Sequence, residues 1–166
     1  MSTAAATEAT PAVQYLTFML GDETFALDIA KVREVLDFTT VTKVPLNPEY
    51  LRGVINLRGT VVPVTDLRLK FGMTRTERSV HTCVIIAEIG VDGERTLLGL
   101  LADSVQEVVE LGADALAPAP RIGTKLNTDI IKGMGKRDGR FIVVLDIDRV
   151  FADGEATAMQ ANGMAQ

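Results

Sequence analysis

The chain has 166 residues, which is the size of one average domain or of two very small ones. Hydrophobic residues make up 47% and charged residues 23%, an ordinary globular mixture that excludes global disorder. Its 17 Lys and Arg residues against 22 Asp and Glu residues give a net charge of −5. Nucleic-acid-binding proteins usually carry a concentrated cationic surface, so this balance argues against a nucleic-acid partner.

The two ends of the chain lack a periodic apolar pattern. We expect residues 1–13 to be a disordered leader and residues 153–166 to be a tail, with one folded region from 14 to 152 between them. The start has no signal-peptide pattern, and no apolar run approaches the ~20 residues that span a bilayer. The single cysteine, Cys83, cannot form an intramolecular disulfide. These features predict a cytoplasmic protein without direct membrane insertion.

The folded region opens with a hairpin pattern. Apolar residues alternate on both sides of Gly21-Asp22-Glu23, which predicts two strands within residues 14–29. Asp28 then fits the N-cap of a short helical turn. We expect the apolar residues after it to share one face of that turn. They are Ile29, Val32, Val35 and Leu36.

Strand and turn patterns recur in the second half of the chain. A strand is predicted at 80–89, a turn at 90–93 and another strand at 96–101. A further hairpin is predicted over 134–146, with its turn at Arg137-Asp138-Gly139.

The chain contains an internal repeat. Residues 46–71 match residues 126–151 at a constant offset of 80, and 32–35 resembles 105–108 at an offset of 73. The identical pairs are Leu46/Leu126, Asn47/Asn127, Gly53/Gly133, Gly59/Gly139, Val64/Val144, Asp66/Asp146 and Phe71/Phe151.

Each copy of the repeat has the pattern of the same series of elements. The Asn of each copy is expected to cap a helical turn, and the Gly that follows to end it at a positive φ or a close backbone approach. A strand, a glycine turn and a second strand come next. Asp66 or Asp146 is then expected to cap a short helix.

This pattern predicts the fold class. Each copy has too few short strands to bury both faces of an open sheet, and curling into a barrel removes the exposed edges. We therefore expect an all-β fold of two small five-stranded SH3-like β-barrels packed side by side, with short connecting helices. The approximate barrel segments are 14–78 and 79–152, and the sequence leaves open whether they exchange strands.

Catalytic constellations are scarce. His81, the single histidine, and Cys83 lie two apart on a predicted strand, which gives too few ligands for a metal site. The glycines near Lys136 are not followed by the Ser or Thr of a phosphate-binding loop. Asp146 and Asp148 could form an acid–base pair, but helix capping is the commoner role. We expect no enzyme activity, no metal and no cofactor.

The two copies differ at their hairpin turns. The first copy has Asn56-Leu57-Arg58-Gly59, whereas the second has Lys136-Arg137-Asp138-Gly139. An arginine beside an apolar residue is a frequent protein-binding hot spot, and a solvated turn is the alternative. Pro63 lacks an N–H, so it predicts an edge strand or a bulge that places this hairpin at the border of its barrel.

The segment 32–35 has two interpretations. Val32 and Val35 are either core residues or the apolar lining of a groove between the barrels. In the second case Arg33 and Glu34 form the rim of that groove.

From about Gln14 to Phe151 the chain resembles the CheW family of chemotaxis coupling proteins. The resemblance rests on several short motifs in combination. They are Leu20-Gly21-Asp22-Glu23 with Phe25 and Asp28-Ile29; Lys31-Val32-x-Glu34-Val35; Arg52-Gly53-Val54-x-Asn56-Leu57-Arg58-Gly59; Val62-Pro63-Val64-x-Asp66-Leu67-Arg68; and Pro118-x-Pro120.

The resemblance implies a fold of two SH3-like barrels and a non-catalytic scaffold. Its implied partners are the cytoplasmic tip of methyl-accepting chemoreceptors, the regulatory domain of the histidine kinase CheA, and other CheW copies in arrays at the inner membrane. The implied receptor-binding residues are Val32, Glu34, Val35 and Arg58. The implied kinase-binding residues are Gly53, Asn56 and Leu57.

The sequence leaves three alternative functions to consider. The chain could be the adaptor of a non-flagellar array, in a twitching or second-messenger pathway. An enzyme or small-ligand sensor would need several titratable groups in a pocket, and the lone His81 argues against it. A small RNA-binding barrel is disfavoured by the net charge of −5.

Overall fold

The computed structural model describes residues 12–38, 41–43, 49–91, 93–118 and 130–150. Two four-residue helices, α1 (Leu67–Lys70) and α2 (Ile147–Val150), and two 3₁₀ turns, Ile29–Lys31 and Ala113–Ala115, accompany the strands. The strands are β1 (Ala12–Leu20), β2 (Glu23–Asp28), β3 (Val32–Asp37), β4 (Leu51–Leu57), β5 (Thr60–Asp66), β6 (Cys83–Val91), β7 (Glu94–Ala102), β8 (Ser104–Gly112), β9 (Ile131–Arg137) and β10 (Arg140–Leu145).

The strands form two five-stranded sheets with the same plan. Sheet I has the order β8-β1-β2-β10-β9, and sheet II has the order β3-β6-β7-β5-β4. Each sheet is antiparallel except for one parallel contact, β2 with β10 in sheet I and β5 with β7 in sheet II. The predicted all-β class with two five-stranded units is confirmed. Over the described residues neither set of strand ladders closes into a complete barrel.

The two sheets are nested in the chain. Sheet II is built from the consecutive strands β3 to β7, whereas sheet I joins the hairpin β1–β2 to the later strands β8, β9 and β10. The segments 14–78 and 79–152 therefore do not coincide with the sheets. The first hairpin of each repeat, β1–β2 or β6–β7, pairs with the remaining strands of the other repeat. The chain crosses between sheets at Ile29–Lys31 and at Asp103.

The secondary-structure elements of the two copies follow the offset of 80 residues seen in the sequence. β4 and β9 begin and end 80 residues apart, as do α1 and α2. Asp66 caps α1 by accepting a hydrogen bond from the Arg68 N–H at 3.1 Å, as predicted. The predicted caps Asn47 and Asn127 lie outside the described residues, and so do the leader up to residue 11 and the tail from 151 onward.

Three apolar clusters form the core, and one of them joins the two sheets. The largest lies between the sheets and contains the stacked rings of Phe18, Phe25 and Phe71, with centroid distances of 6.1 and 5.8 Å. A second cluster, with Tyr15, fills the inner face of sheet I. The third, with Ile86, does the same for sheet II. Burial of this apolar surface is the main force that joins the repeats.

Two predicted element boundaries are wrong. The helical turn after Asp28 is only the three residues Ile29–Lys31, and the residues from Val32 onward form β3. Pairing of β3 with β6 satisfies the backbone groups there, so this tertiary contact overrides the local helical spacing. Ala12 and Val13, assigned to the leader, belong to β1 because they pair with β8.

Three further placements differ from expectation. Val80 is 92% exposed and His81 lies in a turn, so the strand predicted from 80 begins only at Cys83. Gly53 lies inside β4 and does not end a helical turn, although it has the expected positive φ and close backbone approach. Pro63 is in β5, which is not an edge strand. It is tolerated because the pairing of β5 with β7 starts one residue later, at Val64.

Candidate protein-binding surface

The side chains of Glu34 and Arg58 meet across sheet II. Glu34 lies on edge strand β3, and Arg58 lies in the turn between β4 and β5, where it donates a charge-assisted hydrogen bond to the Glu34 carboxylate. The Arg58 side chain is 71% exposed. The structure thus brings together two of the four predicted receptor-binding residues, which are 24 positions apart in sequence.

The backbone of this turn is unusual for an arginine. Arg58 and Gly59 have φ values of 49° and 88°, and the equivalent Asp138 and Gly139 have 53° and 79°. Two central residues at positive φ make the two-residue turn that suits the twist of a hairpin, and Asn, Asp or Gly is the usual first residue. The positive φ of Arg58 therefore costs conformational free energy. An aspartate, which occupies the equivalent position 138, adopts this φ at a lower cost.

Neighbouring groups define the shape and charge of the turn. Asn56 Oδ1 accepts a hydrogen bond from the Gly59 N–H at 2.8 Å, which closes the turn. The hydrogen bond from Arg58, opposed in part by desolvation and assisted by the Arg58 and Arg33 charges, lowers the pKa of Glu34. Glu34 is therefore an anion at neutral pH, and the turn presents a fixed pair of opposite charges.

The two valines of β3 point in different directions. Val32 is half-buried and packs against the cluster between the sheets, whereas Val35 is 41% exposed. The core interpretation of the 32–35 segment therefore holds for Val32, whereas Val35 is not a core residue. Val35 and Arg58 are the solvent-facing members of the predicted receptor-binding set.

The predicted kinase-binding residues are mostly covered. Leu57 is half-buried against the inner cluster of sheet II, and Asn56 is exposed. Gly53 is buried with φ of 143°, and a Cβ built there would lie 2.1 Å from the Thr42 carbonyl oxygen. Thr42 is held at that position by two backbone hydrogen bonds to Val54. Gly53 permits this close approach and presents no side chain to a partner.

Sequence reasoning missed a second set of exposed apolar residues. Val61 and Phe141 are 45% and 63% exposed and occupy positions related by the offset of 80, and Val108 is 46% exposed at the position related to Val35. Phe141 borders a groove of about 550 Å³ with Met19 and Met134. The internal repeat aligns Val61 with Phe141 and Val35 with Val108, but buried pairs such as Val64 and Val144 align in the same way, so the sequence gives no signal that separates the exposed pairs.

Cys83 and the acidic residues show neither a metal-binding arrangement nor an activated thiol among the described residues. Within the described part of the chain, no three His, Cys, Asp or Glu side chains are arranged to hold a metal ion. Burial raises the pKa of the Cys83 thiol, a hydrogen bond from the backbone at Val105 opposes this, and Asp37 adds to it. A thiol in that environment is a poor nucleophile at neutral pH.

Comparison with known proteins decides the family. A family model described as the CheW-like domain matches residues 14–155. The chain belongs to the CheW-like domain family. The CheW of Klebsiella aerogenes is 33% identical over 142 residues, covering 86% of this chain and 83% of that protein. The CheW of Rhizobium meliloti is 32% identical over 145 residues, covering 87% and 91%.

A solved CheW structure shares the fold. The scaffolding protein TtCheW from Thermoanaerobacter tengcongensis matches with a TM-score of 0.75 at 33% identity, covering 85% of this chain and 88% of that one. The expected CheW membership is therefore confirmed by sequence and by structure. Among the described helices, none has the length and apolar character needed to cross a membrane.

Proposed function

We propose that this CheW-family protein is a non-catalytic scaffold that couples the cytoplasmic tips of chemoreceptors to the histidine kinase CheA. The observation that carries the proposal is the surface formed by Glu34, Val35 and Arg58, where an exposed ion pair stands beside an exposed valine. An arginine at the border of an apolar contact is a recurrent anchor of protein interfaces. The structural relative TtCheW is a scaffolding protein, which supports the same role.

We assign receptor binding to Val32, Glu34, Val35 and Arg58. Glu34, Val35 and Arg58 supply the charge and apolar area that a receptor helix would contact, and Val32 fixes β3 to the sheet from behind. We assign kinase binding to the segment around Gly53, Asn56 and Leu57. Because Gly53 and Leu57 are covered, their role in binding CheA is to shape the β4–β5 hairpin and the adjacent segment 41–43.

The place of action follows from these partners. A scaffold that binds receptor tips and CheA acts in the cytoplasm, at arrays beneath the inner membrane, where other CheW copies also assemble. An adaptor of a non-flagellar array would use the same surfaces. The two cases differ only in which receptors and which CheA paralogue bind.

The test is a calorimetric titration of the protein with a receptor cytoplasmic fragment and, separately, with the CheA regulatory domain. Arg58→Glu should weaken receptor binding by about 30-fold, because loss of a central arginine contact costs about 2 kcal/mol. Arg137→Glu is the matched control, since Arg137 lies on the equivalent hairpin of sheet I, 46% exposed and 3.9 Å from Glu107.

The outcomes separate the roles. The control should retain receptor affinity, and both variants should keep the wild-type circular dichroism spectrum. Wild-type protein that is folded yet binds neither partner from its own cell would reject the coupling function. Equal losses for Arg58→Glu and Arg137→Glu would reject the assignment of the receptor site to sheet II.

A further inference from the structure

One aspartate carboxylate ties the sheets together where the chain crosses back from sheet II to sheet I. Asp103 lies between β7 and β8, and its Oδ2 accepts hydrogen bonds from the Gly21 N–H at 2.6 Å and from Arg68 Nη1 at 2.9 Å. Gly21 belongs to the β1–β2 turn of sheet I, and Arg68 belongs to α1, which follows β5 of sheet II. Arg68 is further held by two hydrogen bonds to Thr74.

A second carboxylate does the same at the other crossing. Asp148 in α2 accepts a hydrogen bond from the Gly90 N–H at 3.0 Å through Oδ1, and one from Lys31 Nζ at 2.8 Å through Oδ2. Gly90 lies near the end of β6 in sheet II, and α2 follows β10 of sheet I. Lys31 directly precedes β3, where the chain passes from sheet I to sheet II.

The two clusters have a similar arrangement. Arg68 and Asp148 are each the second residue of their helix and are related by the offset of 80. Lys31 and Asp103 each directly precede an edge strand, β3 or β8. A hairpin glycine donates its N–H to the carboxylate in both. The polarity differs, because the helix carries the cation in one cluster and the anion in the other.

The clusters also differ in exposure. The Arg68 and Asp103 side chains are 19% and 24% exposed, whereas the Lys31 and Asp148 side chains are both 39% exposed. Exposed ion pairs contribute little free energy and are screened by salt, while covered ones are screened less. The contact at Lys31 is therefore the weaker of the two links between the sheets.

We propose that these clusters are two fasteners that set the relative position of the sheets, and that the weaker one, Lys31–Asp148–Gly90, positions strand β3. Lys31 is adjacent to Val32 and three residues from Glu34, so a change in the fastener moves the start of the strand that carries the receptor surface. Glu88, which binds Arg33 of β3 and Arg95 of β7, lines the same groove as Lys31 and Asp148 and extends the link. The positioning role rests on the proposed function, whereas the fastening role does not.

The repeat supplies a sharp test. The double variant K31D/D148R gives the weaker fastener the polarity that the Arg68–Asp103 cluster already has. Amide hydrogen exchange at Gly90 reports the fastener directly, and exchange at Gly21 in the same sample is the internal control. Lys31→Asp or Asp148→Arg alone should accelerate Gly90 exchange by about tenfold and leave Gly21 unchanged. The double variant should restore the wild-type rate at Gly90.

Receptor-fragment affinity is measured on the same proteins. Each single variant should bind more weakly, and the double variant should recover. Unchanged Gly90 exchange in the single variants, or no rescue in the double variant, overturns the fastener. Altered exchange with unaltered affinity overturns the positioning role. If wild type does not bind the receptor at all, the proposed function fails and the exchange result still decides the fastener.

A milder variant covers the case in which the single variants do not fold. Asp148→Asn keeps the shape of the side chain and removes its charge, so it should accelerate Gly90 exchange in the same direction by a smaller factor. Raising the salt concentration on wild-type protein should also accelerate exchange at Gly90 more than at Gly21. Equal salt responses at both amides would contradict the proposed difference between the fasteners.

Discussion

At the scale of single residues, Arg58 has a backbone conformation that its residue type disfavours. A left-handed conformation costs a residue other than Gly, Asn or Asp roughly 1–2 kcal/mol. Its exposed ion pair with Glu34 returns little of that cost. Strain retained at an exposed position is typical of a binding site, where the side chain is needed for a contact outside the folded chain.

Arg58→Asn should therefore separate stability from binding. We expect the free energy of unfolding to rise by about 1 kcal/mol, because Asn adopts the positive φ more readily. Affinity for the receptor fragment should fall at the same time. Urea denaturation and calorimetry measure the two effects. The converse substitution, Asp138→Arg, should lower stability by a similar amount, and an increase in its stability would contradict the argument from strain.

Gly53 is a residue whose absent side chain matters. Gly53→Ala places a Cβ against the Thr42 carbonyl at a φ of 143°, so we expect a loss of about 2–4 kcal/mol in the free energy of unfolding. Thermal denaturation measures the loss. Gly90→Ala is the control, because no atom lies within 4 Å of a Cβ built there. Similar stability for the two variants would show that the segment around Thr42 moves away from the added Cβ at little cost in free energy.

At the scale of elements, the sequence predicts hairpins well and isolated strands poorly. The β1–β2 and β9–β10 hairpins follow from alternation on either side of a glycine turn, which is a local signal. β3 has the apolar spacing of a helical turn, and it is a strand because it pairs with β6, about 50 residues away. The difference between the two hairpin turns points to Arg58. Its contact with Glu34 needs the arrangement of sheet II and could not be predicted.

The contact of α2 with β6 should make stability depend on pH. Partial burial raises the pKa of Asp148, but the hydrogen bonds from Lys31 and Gly90 and the Lys31 charge outweigh it, so the pKa lies below its ordinary value of 3.8. Glu88 and Arg95 are the other charged groups lining this groove. Because the folded-state pKa is depressed, the stabilisation is complete above the unfolded-state pKa and is lost as the pH falls through the folded-state value.

Comparison of wild type with Asp148→Asn isolates this contribution. The free energy of unfolding of wild type minus that of the variant should be constant near neutral pH. It should shrink once the pH falls below about 4, because the Asp148 carboxylate then takes up a proton when the wild-type protein unfolds. Urea titrations at a series of pH values measure it. A difference that grows as the pH falls would contradict the assigned direction of the shift.

At the scale of the whole molecule, the exchange of hairpins between the two repeats could not be predicted from the sequence. The two repeats carry the same apolar pattern, so β2 could pair with the fifth strand of either copy without changing which residues are buried. Only the complete packing of the cluster between the sheets distinguishes the alternatives. The number and type of units could be predicted, but their division along the chain could not.

The exchange makes separate halves incomplete. Fragments 12–78 and 79–150 should each be unfolded, because each sheet needs strands from both fragments. Mixed in equal amounts, they should regain strand content and a cooperative transition, which circular dichroism detects. Either fragment folding alone with a cooperative transition would contradict this expectation. Fragment 32–102, which holds every strand of sheet II, is the control expected to keep more strand structure than either half.

The nesting of the sheets also governs the order in which a ribosome can complete them. All strands of sheet II have been synthesised once residue 102 has been added, whereas β1 and β2 must wait for β10, which ends at Leu145. Until then Phe18 and Phe25 have no finished sheet around them and stay open to nonspecific contacts. The first hairpin to be synthesised is thus among the last to be built into its sheet, and it is the part of the nascent chain that most needs protection.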